Sequence, residues 1–202
     1  MASVVRFIES RLRLKVNASK SAVARPEERH FLGFCIGVEP EREEIEVLLS
    51  KRSRDRLATR IRDLTPRAYG NRLSVCIDAI NSYVLGWIGF FGICTEGGLR
   101  VLQNADAHIR RRLRAILVKQ WKTQRTIVRR LTSLGVKWLT AMKSVYGRRK
   151  GPWALSHSSA VDRGLRNAYF AGLGLVSMAE RWRHHPARLI VAPVRQMSLG
   201  LE

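Results

Sequence analysis

The sequence predicts a mainly α protein: an all-helical domain over residues 51–180, preceded by a small α+β piece over residues 1–50 and followed by an irregular tail over residues 181–202. Three observations carry that prediction. Apolar residues recur at helical spacing from Ser50 onward, two strand-like runs with a polar connection fall between His30 and Leu49, and a hydrophobic share of 46% is enough to fill a core.

Val4, Val5, Ile8 and Leu12 share one side of a helical period, with Arg6, Glu9, Arg11 and Arg13 mostly elsewhere, so the chain opens on a short amphipathic helix. The same charges interrupt any apolar run of the kind a secretory signal needs. Leu14-Lys15-Val16-Asn17 is strand-like, Arg25-Pro26 breaks the chain, and His30 to Ile36 reads as a buried strand. After the polar connection Glu39-Pro40-Glu41-Arg42-Glu43-Glu44, Ile45 to Leu49 returns as a second strand, and the two form a hairpin.

Ser50 is a good helix N-cap, and Leu57, Ile61 and Leu64 form the apolar stripe of the helix it opens, which Pro66 ends. Leu73, Ile77, Ile80, Val84, Trp87 and Phe91 follow at steps of four and three, the wide apolar face of a central core helix. Its most apolar part, Tyr83 to Cys94, is shorter than the roughly 20 residues a membrane span needs, and Asp78 and Asn81 stand just before it. Gly97-Gly98 is read as the break before a third helix with the stripe Leu102, Ala105, Ile109, Leu113 and Ile116. Short helices follow at Thr126 to Leu134, closed by Gly135, and at Lys137 to Tyr146, closed by Gly147. Ser158 or Ser159 caps a last helix through Val161, Leu165, Ala168 and Tyr169; beyond Arg183 the periodicity is lost.

Charge narrows the function. The chain has 202 residues, 37 Lys+Arg against 16 Asp+Glu, and a formal net charge of +21. Such a surplus opposes compaction by self-repulsion, which points to a polyanionic partner, nucleic acid first. The basic residues cluster in four groups: Lys51 to Arg62, with Arg52, Arg54, Arg56, Arg60 and Arg62; Arg110, Arg111, Arg112 and Arg114; Lys119, Lys122, Arg125, Arg129 and Arg130; and Arg148, Arg149 and Lys150. The planar fork of Arg matches phosphate oxygens bidentately, and a merely solvated face would mix the signs of its charges. Trp121 and Trp153 stand beside the last two groups and either stack on unpaired bases or belong to the core.

Catalytic constellations are weak. Glu39, Glu41, Glu43, Glu44 and Glu46 form the only acidic cluster and read as a solvated hairpin tip rather than a divalent-metal site. His30, His108 and His157 have no partner at ligand spacing, and Ser156-His157-Ser158-Ser159 supplies adjacency but no oriented base. Gly86, Gly89 and Gly92 suit close helix packing, with no Lys-Ser/Thr after them to make a phosphate loop. Cys35, Cys76 and Cys94, odd in number and widely spaced, read as small buried hydrophobes in a reducing compartment. The expectation is no catalytic residue, no metal and no cofactor.

Several strings in order resemble the C-terminal part of a bacterial group II intron reverse transcriptase/maturase. They are Lys20-Ser21, Arg25-Pro26 and Phe31-Leu32-Gly33-Phe34; Tyr83 to Ile88; Ile109 to Arg114; Lys119-Gln120-Trp121-Lys122; and Asn167-Ala168-Tyr169-Phe170 with Leu173-Gly174-Leu175. The resemblance implies the last palm strands in residues 1–50 and the thumb, or maturase-specific domain X, in residues 51–180. It implies a cytoplasmic protein of a mobile element that binds structured intron RNA and promotes its folding for splicing. It further implies that the polymerase aspartates of the Tyr-Ala-Asp-Asp motif lie upstream of Met1, while Asp55, Asp63, Asp78, Asp106 and Asp162 match no catalytic position. The alternative is a non-catalytic thumb fragment that grips template and primer, DNA or an RNA–DNA duplex, completed by a missing reverse transcriptase half; a homodimer is the other protein partner considered, and a decayed remnant is the third reading. In either fragment, the hairpin is expected to carry an exposed sheet edge.

Overall fold

A computed structural model of the chain describes residues 2–17, 19, 21, 24–25, 28–39, 44–147 and 151–186, without the side chains of Val38, Glu39 and Glu44. It is mainly helical, with a small antiparallel sheet ahead of the principal helices. The N-terminal helix α1 (Ala2–Arg11) buries no residue. Leu14 to Asn17 form no strand. The single strand expected from His30 is divided: β1 (His30–Phe31) turns through Leu32 and Gly33 into β2 (Phe34–Glu39), which pairs with β3 (Glu44–Leu49). Gly33 has φ +90°, and a Cβ there would lie 2.5 Å from Ser53 Oγ, so the turn that splits the strand is specific for glycine. The register Phe34↔Leu49, Ile36↔Val47 puts Phe34 on the covered face, where its ring meets Phe90 and Phe91 at 5.9 and 5.3 Å between centroids.

The sheet edge expected to be open is partly closed. Thr95 N–H donates to Val47 O at 2.9 Å, and Val47 N–H donates to Thr95 Oγ1 at 3.0 Å, so the outer side of β3 is paired there. Glu46, from the acidic cluster, accepts from Gly97 N–H at 3.1 Å and serves a helix N-terminus.

Ser50 caps α2 (Lys51–Leu64), its hydroxyl accepting from Ser53 N–H. Leu57 and Ile61 are buried as the stripe requires. In α3 (Leu73–Phe91), Ile77, Ile80, Val84 and Trp87 are buried, joined by Cys76 and Ile88. With 19 residues this helix exceeds the apolar run read from the sequence, and it is long and apolar enough to cross a membrane on length and composition alone. Its packing against α2, α4 (Glu96–Gln120) and α10 (Met178–Arg183) makes it the core helix. The break after it falls at Gly92 to Thr95, because Gly97 and Gly98 lie in the first turn of α4. Among the described residues a Cβ at Gly86 or Gly89 would meet nothing within 4 Å, so no close packing is seen at these two; Gly92, against Ile88 O and the His185 ring, does sit in a tight place.

The 25 residues of α4, about 37 Å long at 1.5 Å per residue, join two halves of the molecule. One part of its length packs on α3, α10 and β3 and another on α2 and α7 (Pro152–Leu155). Beside it, α5 (Gln124–Ser133), α6 (Trp138–Tyr146) and α8 (Ser159–Gly164) pack together through Ile127, Val128, Leu131, Ala141, Val145 and Val161. Gly135 takes φ +85° between α5 and α6, as a helix-closing glycine does, whereas Gly147 stays right-handed. The last helix expected near residue 160 is two: Ser158 caps α8, and α9 (Asn167–Gly172) follows. Residues 181–183, placed in the irregular tail by sequence, close α10, and Trp182 is buried with its Nε1–H donating to Cys94 O at 2.9 Å. Burial pushes the Cys76 thiol up to about 11, in keeping with a structural cysteine.

Candidate nucleic-acid interface

Three stretches far apart in the chain meet on one side of the bundle. The C-terminal end of α2 abuts the middle of α4, and α7 closes over the same part of α4. Arg62 and Arg67 lie close enough to Arg112 to depress its pKa, after burial as the larger cause. Their charges therefore add locally, and such a field attracts an anion.

The arginine run on α4 divides by side chain. Arg112 donates through Nε to Thr65 Oγ1 and through Nη2 to Thr65 O at 2.5 Å and Arg62 O at 3.3 Å. It thus occupies the carbonyl end of α2, where a cation is favoured by unpaired C=O groups. Arg114 is buried, ion-paired with Asp162 at 2.6 Å and donating to Leu165 O at 2.9 Å. Both are candidates for phosphate by sequence; in the structure Nε and one terminal nitrogen of each are committed to the protein. Arg111 lies with its guanidinium carbon 4.1 Å from the Trp153 ring centroid, and its buried Nε has no hydrogen-bond partner among the described residues. The indole holds this group in place. Arg110 is half-buried and lines a cleft of about 700 Å³ together with His108, Arg111, His157 and Arg166. Burial, then Arg112, Arg111 and Arg62, hold His108 below its ordinary value of 6.5.

On α2, Arg52, Arg54, Arg56, Arg60 and Arg62 are exposed, and none has a carboxylate within ion-pair distance among the described residues. Lys51 pairs with Asp55 at 3.1 Å on the surface, a contact of small energetic value. Arg29, Lys51, Arg52, Arg56 and Arg60 line an open cleft of about 810 Å³ beside the sheet, with Glu28, Asp55 and Asp63 among them. Arg60 lies 5.9 Å from the Tyr83 ring centroid.

The third basic group is dispersed. Lys119 joins Arg67 and Arg112 beside Trp153, whereas Arg125 and Arg129 line a groove with Trp138, Met142 and Tyr146. Lys122, at φ +57°, and Arg130 are exposed. Arg148, Arg149 and Lys150 lie outside the described residues. Of the two tryptophans, Trp121 is half-buried against the core and Trp153 is 38% exposed. Sequence reading missed Arg67 and Arg166, and also Trp138 and Tyr146, which are exposed beside Arg125 and Arg129. The spacing of 138, 142 and 146 along one helix face, against buried Ala141 and Val145, was the available signal.

Two serines of the Ser156-His157-Ser158-Ser159 string have structural roles. Ser156 is buried and donates to Trp153 O at 2.7 Å, Ser158 caps α8, and His157 is exposed. Asp106 is buried, accepting from Ser177 Oγ, Met178 N–H and Ala179 N–H, and so caps α10. No group of three His, Cys, Asp or Glu side chains is placed to hold a metal among the described residues.

Residues 54–134 match the family model described as the group II intron, maturase-specific domain. The matched span runs from α2 to the end of α5, and it supports the resemblance to the C-terminal part of a maturase. No curated protein matches the chain.

Proposed function

We propose that the chain is an RNA-binding maturase domain that favours the splicing-competent fold of a group II intron, the chemistry belonging to the RNA. One observation carries this reading: the exposed arginines of α2 have no carboxylate partner among the described residues, and the C-terminal end of the same helix brings Arg62 and Arg67 up to Arg112 of α4. A protein that binds the active RNA conformation better than its alternatives shifts the population by that difference in affinity. The partner is structured intron RNA, met by arginine forks at phosphates and by exposed aromatics near them. The reading includes a bacterial cytoplasmic setting.

A splicing assay of a group II intron precursor at limiting magnesium tests it. The full chain should accelerate splicing, and the triple variant Arg52→Glu, Arg56→Glu, Arg60→Glu, on exposed positions of α2, should not. Equal rates with and without protein would remove the maturase reading.

The docking of the hairpin on α3 and α4 favours a second reading, in which the same surface holds template and primer as the thumb of a reverse transcriptase. Primer extension after mixing the chain with a fingers and palm polypeptide separates the two.

A further inference from the structure

Trp153 does more than meet Arg111 and His108 of the arginine cleft. While Arg111 lies over its ring, the same side chain lines a separate cavity of about 470 Å³ between the C-terminal end of α2, the middle of α4 and the start of α7. The walls of that cavity are Ala115, Ile116, Pro152 and Trp153, and its cations are Arg67, Arg112 and Lys119. No carboxylate lines it among the described residues. A phosphate is strongly hydrated and gains nothing from Ile116 or Pro152. A planar, weakly hydrated ring gains from both, and the surrounding cations require that such a ring carry an anion. An unpaired nucleotide of RNA combines a stacking base with flanking phosphates.

We propose that this cavity takes one unpaired nucleobase of a bound RNA, set against Trp153, with its flanking phosphates reaching Arg67 and Lys119. The inference rests on the reading of the chain as an RNA-binding domain and adds the place where a base, rather than the backbone, is held. The cation stacked on the indole fixes the ring before the RNA arrives, which lowers the ordering cost of stacking on it. Arg112, tied to the end of α2, holds one side of the cavity in place. Selectivity then follows: an RNA with a bulged or looped base at the right distance from a phosphate-rich segment is favoured over a continuous duplex. The walls contributed by α7 lie outside the matched span of residues 54–134, so the cavity depends on a segment beyond it.

The test uses the full chain and three hairpin RNAs of equal length: one with a single unpaired fluorescent base analogue, one with that nucleotide abasic, and one fully paired. The unpaired base should bind about tenfold more tightly than the abasic site, the free-energy scale of one base–aromatic stack, and its fluorescence should be quenched on binding. Trp153→Ala should remove both effects and Trp153→Phe should retain part of them. Because Trp153→Ala also releases Arg111, Ala115→Gln serves as a second variant, filling the cavity from a helical position that tolerates glutamine. It should abolish the preference for the unpaired base while leaving salt-dependent binding of the paired hairpin intact. Equal affinity for the unpaired and abasic hairpins, with RNA binding preserved, would overturn the cavity and leave the RNA-binding reading standing. Failure to bind any of the three would overturn both.

Discussion

Arg110, Arg111, Arg112 and Arg114 are close in sequence but point into different surroundings, because successive helical positions are about 100° apart. Composition showed a positive run; it could not show that Arg112 sits on the carbonyl end of α2 and Arg114 on Asp162. Arg112→Ala should therefore cost about 1.5–3 kcal/mol of stability in urea unfolding, the scale of charged hydrogen bonds left without their donor. Arg110→Ala, half-buried in the cleft, should leave the urea midpoint nearly unchanged and reduce the slope of log affinity against log salt instead. His108 gives a pH signature. It is faced by Arg62 from α2, Arg111 and Arg112 from its own helix and the Trp153 ring from α7, and the cleft it lines also holds Arg110, Arg114, His157, Asp162 and Arg166. A phosphate in that cleft offsets the arginines and raises the histidine pKa, so binding takes up a proton. RNA affinity should rise as pH falls through the bound-state pKa and level off below the free-state value, which is under 6.5. Without RNA the linkage runs the other way. The unfolded chain protonates first, so this histidine's contribution to stability is complete above 6.5 and declines as pH falls below it. His108→Gln should flatten both profiles.

In the three longest helices sequence and structure agree: the stripes of α2, α3 and α4 are buried almost position for position, and Ser50 caps as its type and place imply. Short elements were harder. Neither α8, α9 nor α10 reaches two full turns, so none could display an apolar stripe, and α10 was missed although Trp182 is buried. The signal that fixes α10 is not local: Asp106, more than seventy residues away, accepts from its first amides and from Ser177. Asp106→Ala should cost about 2–3 kcal/mol and should release amide protection across residues 178–183 before the rest of the bundle. At the other end, α1 has ten residues and buries none, and isolated helices of that length are marginal in water. Its amides should exchange far faster than those of α3 and α4, a contrast that hydrogen exchange reads directly.

At the scale of the molecule, a formal charge of +21 opposes folding and favours polyanions at once. Added salt should raise the unfolding midpoint of the free protein by screening its self-repulsion, and lower its affinity for RNA by reducing the gain from counterion release. Charge by itself predicts only that any RNA is bound. Selectivity under the proposed function comes from α2, α4 and α7, which set cations, an indole and an apolar cavity at fixed separations that suit one RNA shape. The most direct measurement is a binding competition near physiological salt between a folded group II intron RNA and a scrambled RNA of equal length and charge. A preference of about a hundredfold or more for the intron, on the order of 2.7 kcal/mol, is the result the account predicts. Equal binding of the two RNAs would contradict it.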